Sequence, residues 1–165
     1  MSTPTSLLAA GLGWAAGMRS MTPPAVLART LVSQRPSIPL LARRRRQPAR
    51  VLGTGRAATL LTVAAAGELT ADKLPVAPPR TSPPALFGRL ASGALAGATV
   101  AAVRRQNPVL PALVGAASAV ASSFVMMDLR KRVGEALDVP DPAVAVVEDV
   151  LAVAISVAAS HSATG

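Results

Sequence analysis

The sequence predicts an all-α fold, a polytopic transmembrane helix bundle of about five membrane segments with the first one broken near Arg19. Three observations predict it. Hydrophobic residues make up 51% of the 165 residues and charged ones only 15%, against about 25% charged in an ordinary soluble domain. The apolar residues fall in charge-poor blocks, and residues 106–127 alone form a run of 22, enough for a hydrocarbon core that takes ~20. Prolines stand at the starts of these blocks. The rival fold, an Ala-rich soluble bundle, would need charged faces recurring every turn or two, and the blocks carry none.

The first segment, residues 5–31, holds Arg19 near its middle. Gly17 precedes the arginine, Pro23 and Pro24 follow it, and Ser20 and Thr22 offer hydroxyls to freed backbone groups. This composition predicts a discontinuous helix of the kind whose exposed ends meet ions at mid-membrane. The second segment is 51–74, the third 84–103, the fourth 108–127 and the fifth 143–159, within a single integral membrane domain over 1–165. Pro84, Pro108 and Pro142 fall at or just before first helical turns, where a missing N–H matters little. The connectors "RPSIPLLARRRRQPAR", "LPVAPPRTSPP" and "DVPDP" are also proline-rich. In the third segment "GRLASGALAGA" sets Gly93 and Gly97 four apart, a spacing that lets helix backbones approach closely. "GAASAVASS" continues the small-residue pattern in the fourth.

Net charge is +9, and the first 67 residues contain nine arginines and no acid. The basic loop 32–50, with Arg43, Arg44, Arg45 and Arg46 at its centre, is expected on the cytoplasmic side of a bacterial inner membrane. There it meets anionic lipid headgroups. Nucleic acid is not expected as a partner, because no aromatic residues interleave the basic run. No charge precedes the first apolar run, so that segment reads as retained and not as a cleaved leader. Five crossings then put the N-terminus outside and the C-terminus inside. Arg130, Lys131 and Arg132 conflict with this topology. An interfacial helix whose bases pair with Asp128 and Glu135, a dual topology, or a re-entrant first segment would each account for them.

Charges inside spanning segments are costly and mark candidate sites. Spacing places Glu68 and Asp72, with Lys73, near the end of the second segment, Arg89 near the start of the third, and Glu148 and Asp149 near the start of the fifth. Antiparallel neighbours bring all of them to one half of the bilayer, within reach of Arg19. Glu68 and Asp72 share a helix face and need a cation or proton between them; Arg19, Arg89 and Lys73 are the candidates. Of Glu148 and Asp149, one should face the bundle and the other the headgroups. The putting together of these groups supports a small transporter or channel for an ion or small solute, with Arg19 and Arg89 attracting the solute and Glu68 or Asp72 exchanging a proton. The alternative is a non-transporting scaffold or assembly protein whose Arg/Glu/Asp pairs are structural; an intramembrane lipid-modifying enzyme is a weaker third. No catalytic motif, metal-ligand set or cofactor motif is present in the sequence, cysteine is absent, and His161 stands alone in a polar tail. A homo-oligomer would help so short a chain enclose a pathway.

Four stretches carry a family resemblance: "GMRSMTPPAVLA", "GELTADKLP", "GRLASGALAGA" and "VPDPAVAVVEDVLAV". The chain resembles the DUF4126 family over residues 7–159. The most specific element is E-x-x-x-D-K-x-P at Glu68, Asp72, Lys73 and Pro75; Gly17 and Arg19 match an early Gly/Arg element, and Glu148 and Asp149 a late acidic pair. The resemblance implies a small bacterial integral membrane protein and brings no established activity with it.

Overall fold

A computed structural model describes residues 3–34, 46–71, 82–137 and 141–165. All secondary structure among them is helical: α1 (Thr5–Met18), α2 (Thr22–Ser33), α3 (Ala49–Leu52), α4 (Gly55–Ala71), α5 (Pro83–Val103), α6 (Val109–Leu137) and α7 (Asp141–Thr164). Three helices are long and apolar enough to cross a membrane, at Pro83–Val103, Val109–Gly134 and Ala143–Thr164. Their starts follow local chemistry. Proline occupies the first turn of α2 and of α5. The Asn107 side chain accepts from Val109 N–H (2.9 Å) ahead of α6, and Thr54 accepts from Ala57 N–H (3.2 Å) to start α4. Each acceptor satisfies a donor that a helix N-terminus leaves open.

The predicted break at Arg19 is present, and it reverses the chain. Arg19 is extended (φ −141°, ψ 109°) immediately after the last turn of α1. From there α2 runs back beside α4: Met21 and Ser20 meet Glu68, while Arg29, two turns later, donates to Thr62 (3.0 Å). Leu27 and Leu31 accordingly share one apolar core with Leu8 and Leu12 of α1, Val100 of α5 and Ala163 of α7. α1 and α2 therefore form a helical hairpin. At 1.5 Å per residue their 14 and 12 residues reach about 21 and 18 Å, short of the ~30 Å hydrocarbon core.

The hairpin matches the turned-back first segment given above as one account of the topology conflict, and it brings residues near both ends of the chain together. Arg104, between α5 and α6, donates to the Thr3 carbonyl and, at 2.7 Å, to the Ser162 carbonyl, so both ends of the chain sit at one end of the bundle. Arg104→Gln removes this tie. It is expected to lower stability by about 1–3 kcal/mol, the range for charge-assisted hydrogen bonds, and to speed hydrogen exchange in the last turn of α7, measurable by mass spectrometry in detergent.

α1, α5 and α6 make the tightest contact in the bundle. A Cβ on Gly93 or Gly13 would overlap the Gly115 carbonyl, and one on Gly97 would overlap that of Pro111. The small-residue packing expected at Gly93 and Gly97 is thus backbone against backbone. A serine ladder reinforces it: Ser118 Oγ donates to Ala10 O and Ser122 Oγ to Trp14 O, both at 2.8 Å. Serines four apart on α6 meet carbonyls four apart on α1, so one spacing repeats on both helices.

Candidate functional site

A chain reversal inside a helix bundle leaves two helix ends to be satisfied away from water. α1 ends with open carbonyls and partial negative charge; α2 begins with open N–H groups and partial positive charge. One end receives a basic side chain and the other an acidic one. Arg89 of α5, 5% exposed, donates to the Gly17 carbonyl. Glu68 of α4 accepts from Ser20 N–H (2.8 Å), Ser20 Oγ–H (2.8 Å) and Met21 N–H (2.7 Å), using both carboxylate oxygens. Ser92 Oγ donates to the Ser20 carbonyl, and Ser123 Oγ reaches the Gly17 carbonyl at 3.3 Å.

Arg19 itself is almost wholly enclosed, at 1% exposure, and its Nε donates to Asp149 Oδ1 on α7. The neighbouring Glu148, 2% exposed, faces Arg130 of α6 at 3.6 Å. Helix geometry sets the depth. Arg89 is six residues in from Pro83 and Asp149 eight in from Asp141, about 9 and 12 Å from the ends of their helices. The hairpin tip is therefore held inside the bundle and not on its surface.

The expected cluster is largely assembled at this tip, with different pairings. Of the partners expected for Arg19, Glu68 or Asp72, the second lies outside the described residues. Arg19 has a further carboxylate in Asp149, and Glu68 serves the backbone of the residues just after Arg19, because the reversal points those N–H groups at α4. Glu148 and Asp149 were expected to divide between bundle and headgroups; both turn to cations, one toward α6 and the other toward the tip. Asp72 and Lys73 lie outside the described residues, as do Arg43, Arg44 and Arg45. Pro23 and Pro24 are buried at the first turn of α2, where they start a helix and do not kink one. Gly17 stands where a Cβ would overlap the Ala119 carbonyl. Sequence reasoning missed Ser92 and Ser123, whose only signal was a hydroxyl in an apolar helix, and it missed Arg130 as the partner of Glu148.

A groove with a cavity volume of about 720 Å³ runs along α2 between α4 and α7. Thr22 lies at its tip end, Thr30 and Ser33 at the other, and the exposed Arg29 and Thr62 between them. Among the described residues no group of three or more His, Cys, Asp or Glu is placed to hold a metal.

Three membrane-length apolar helices around a buried, charge-lined hairpin define an integral membrane helix bundle. The chain belongs to the DUF4126 family: the family model described as "Domain of unknown function (DUF4126)" matches residues 6–163, nearly its whole length. No curated protein and no solved structure matches it.

Proposed function

We propose that the protein conducts a small anion across the bacterial inner membrane, with the hairpin tip as its binding site. The observation that carries this reading is the Glu68 carboxylate, seated on two backbone N–H groups and a serine hydroxyl at the N-terminus of α2. Such a cradle binds carboxylate, phosphate and halide alike. Glu68 is then an internal occupant of a site that a solute anion can take. Arg19 and Arg89 supply positive charge around it, and the groove along α2, with Arg29 on its wall, is the approach. The end bearing Arg104, Arg105 and the loop 32–50 faces the cytoplasm in this reading. The pairing of Arg132 with Asp128 at 2.7 Å and of Arg130 with Glu148 reduces the positive charge left at the other end. A second copy of the chain would close the open side of the groove.

The competition between Glu68 and solute has a testable sign. The Glu68 carboxylate and a solute anion compete for the same donors, so weakening the internal occupant frees the cradle. Glu68→Gln keeps the size of the side chain but cannot ionise. In proteoliposomes loaded with chloride or nitrate, it is expected to raise anion flux above that of the wild type.

The direct bonding of Arg19, Arg89 and Glu68 favours a second reading, a non-transporting scaffold whose charges only lock the hairpin. On that reading wild type and variant both carry no anion, and Glu68→Gln shows only a lowered unfolding midpoint. That outcome would sink the transport reading.

A further inference from the structure

The geometry points to the cleft between α6 and α7 as a binding site for an anionic phospholipid, with an acyl chain in the cleft and the headgroup phosphate on Arg130. The two helices follow each other in the chain, yet they stand apart around residues 126–133 and 143–151, leaving a cavity of about 290 Å³. Met126, Leu129 and Val133 line one wall, Val147 and Leu151 the other, and Arg130 and Glu148 face each other across it. Leu129, Val147 and Leu151 are 46%, 59% and 44% exposed, so the cleft opens outward from membrane-length helices and faces hydrocarbon. Apolar side chains facing lipid tails need no protein to cover them, and Glu148, already 2% exposed and paired with Arg130, loses little further water when a tail enters.

Charge selects the headgroup. Arg130, Lys131 and Arg132 fall within one turn of α6. Asp128 takes Arg132 at 2.7 Å, and the exposed Lys131 adds positive charge beside Arg130. Arg130 itself lines the cleft and forms an ion pair with Glu148 at 3.6 Å. A planar guanidinium with five donors can serve that carboxylate along one edge and a phosphate along another. Basic side chains at the mouth of an interhelical pocket are the arrangement that holds anionic headgroups. This inference rests on the membrane character of the helices and is independent of whether the hairpin tip conducts anions.

The sole tryptophan gives the readout. Trp14 packs in the same cluster as Met126, on the wall of the cleft. The full chain is reconstituted in phosphatidylcholine vesicles containing small fractions of dibrominated phosphatidylglycerol or dibrominated phosphatidylcholine, and Trp14 fluorescence is followed. The anionic lipid is expected to quench at a lower mole fraction than the zwitterionic one. Lys131→Gln, at an exposed position, should weaken that preference roughly fivefold, and Arg130→Gln with Lys131→Gln should remove it. Val147→Phe, which fills the cleft and leaves the charges alone, should reduce quenching by the anionic lipid, with helicity checked by circular dichroism. Equal quenching by the two lipids would mean ordinary contact with the bilayer and would overturn the proposal. So would an anionic preference that survives both the charge variants and the cleft-filling one. Crosslinking of α6 to α7 between two copies, with no quenching, would assign the cleft to a second chain and overturn it as well.

Discussion

Asp149→Asn is expected to lower the unfolding free energy by about 3–5 kcal/mol, the cost of leaving one member of a buried ion pair without the other. Arg19 is 1% and Asp149 17% exposed, so little solvent reaches the guanidinium to replace a lost carboxylate. Its charge is permanent, so the guanidinium cannot escape by deprotonating. The hairpin tip then has to move toward water, and the α1–α2 unit loosens from α7. Denaturation in mixed micelles, followed by circular dichroism, measures the loss. The double variant Arg19→Gln/Asp149→Asn should recover part of it, because it leaves two neutral polar groups in place of a buried charge that has lost its Asp149 counter-charge. If the single variant is as stable as wild type, Asp149 does not hold the tip. If the double variant recovers stability but not anion flux, the pair serves the site as well as the fold.

Gly97→Leu is expected to destabilise the bundle through packing and not through charge. Even a Cβ at Gly97 meets the Pro111 carbonyl and comes within 3.3 Å of the Ala112 Cα. These are backbone atoms, which cannot rotate aside as a side chain can. Overpacking in a well-packed core costs about 1–3 kcal/mol and occasionally more. Separating α5 from α6 here also strains the contact one turn away, where Gly93 and Gly115 approach through the Gly115 carbonyl. Gly97→Ala should show most of the effect, since the first carbon already collides. Gly88→Ala serves as the control, because nothing lies within 4 Å of its Cβ position. Equal stability for Gly97→Ala and Gly88→Ala would show that the helices are not packed at Gly97.

The charge-poor blocks and their prolines made the helical membrane class legible, because length and hydropathy are one-dimensional properties. Arg19 as a helix break was legible for the same reason: Gly17, Pro23 and Pro24 are local signals. The direction of the chain after the break was not. A straight kinked helix and a hairpin have the same local composition, and only the contacts of Leu27 and Leu31 with the first turns of α1 separate them. Pairing within the charge set was illegible on similar grounds. Spacing along α4 and α7 brought Glu68 and Asp149 to one depth, but rotation about each helix decides which of them meets a guanidinium and which a backbone N–H. Ser92, Ser118, Ser122 and Ser123 were invisible as partners, since a serine in an Ala-rich helix bonds its own helix as readily as a neighbour. Ser123 does both, donating to Ala119 O at 2.8 Å and Gly17 O at 3.3 Å.

By itself the sequence determined the helical class, the small-residue face at Gly93 and Gly97, the break at Arg19 and the depth of the buried charges. Each follows from a period, a length or a local backbone preference. Tertiary structure alone decided that the first segment turns back, that the two termini meet at Arg104, and that Glu68 occupies the α2 N-terminus while Asp149 holds Arg19. Those outcomes depend on which helix stands beside which, and a hairpin buried in a bundle must find its counter-charges on whatever neighbours surround its tip.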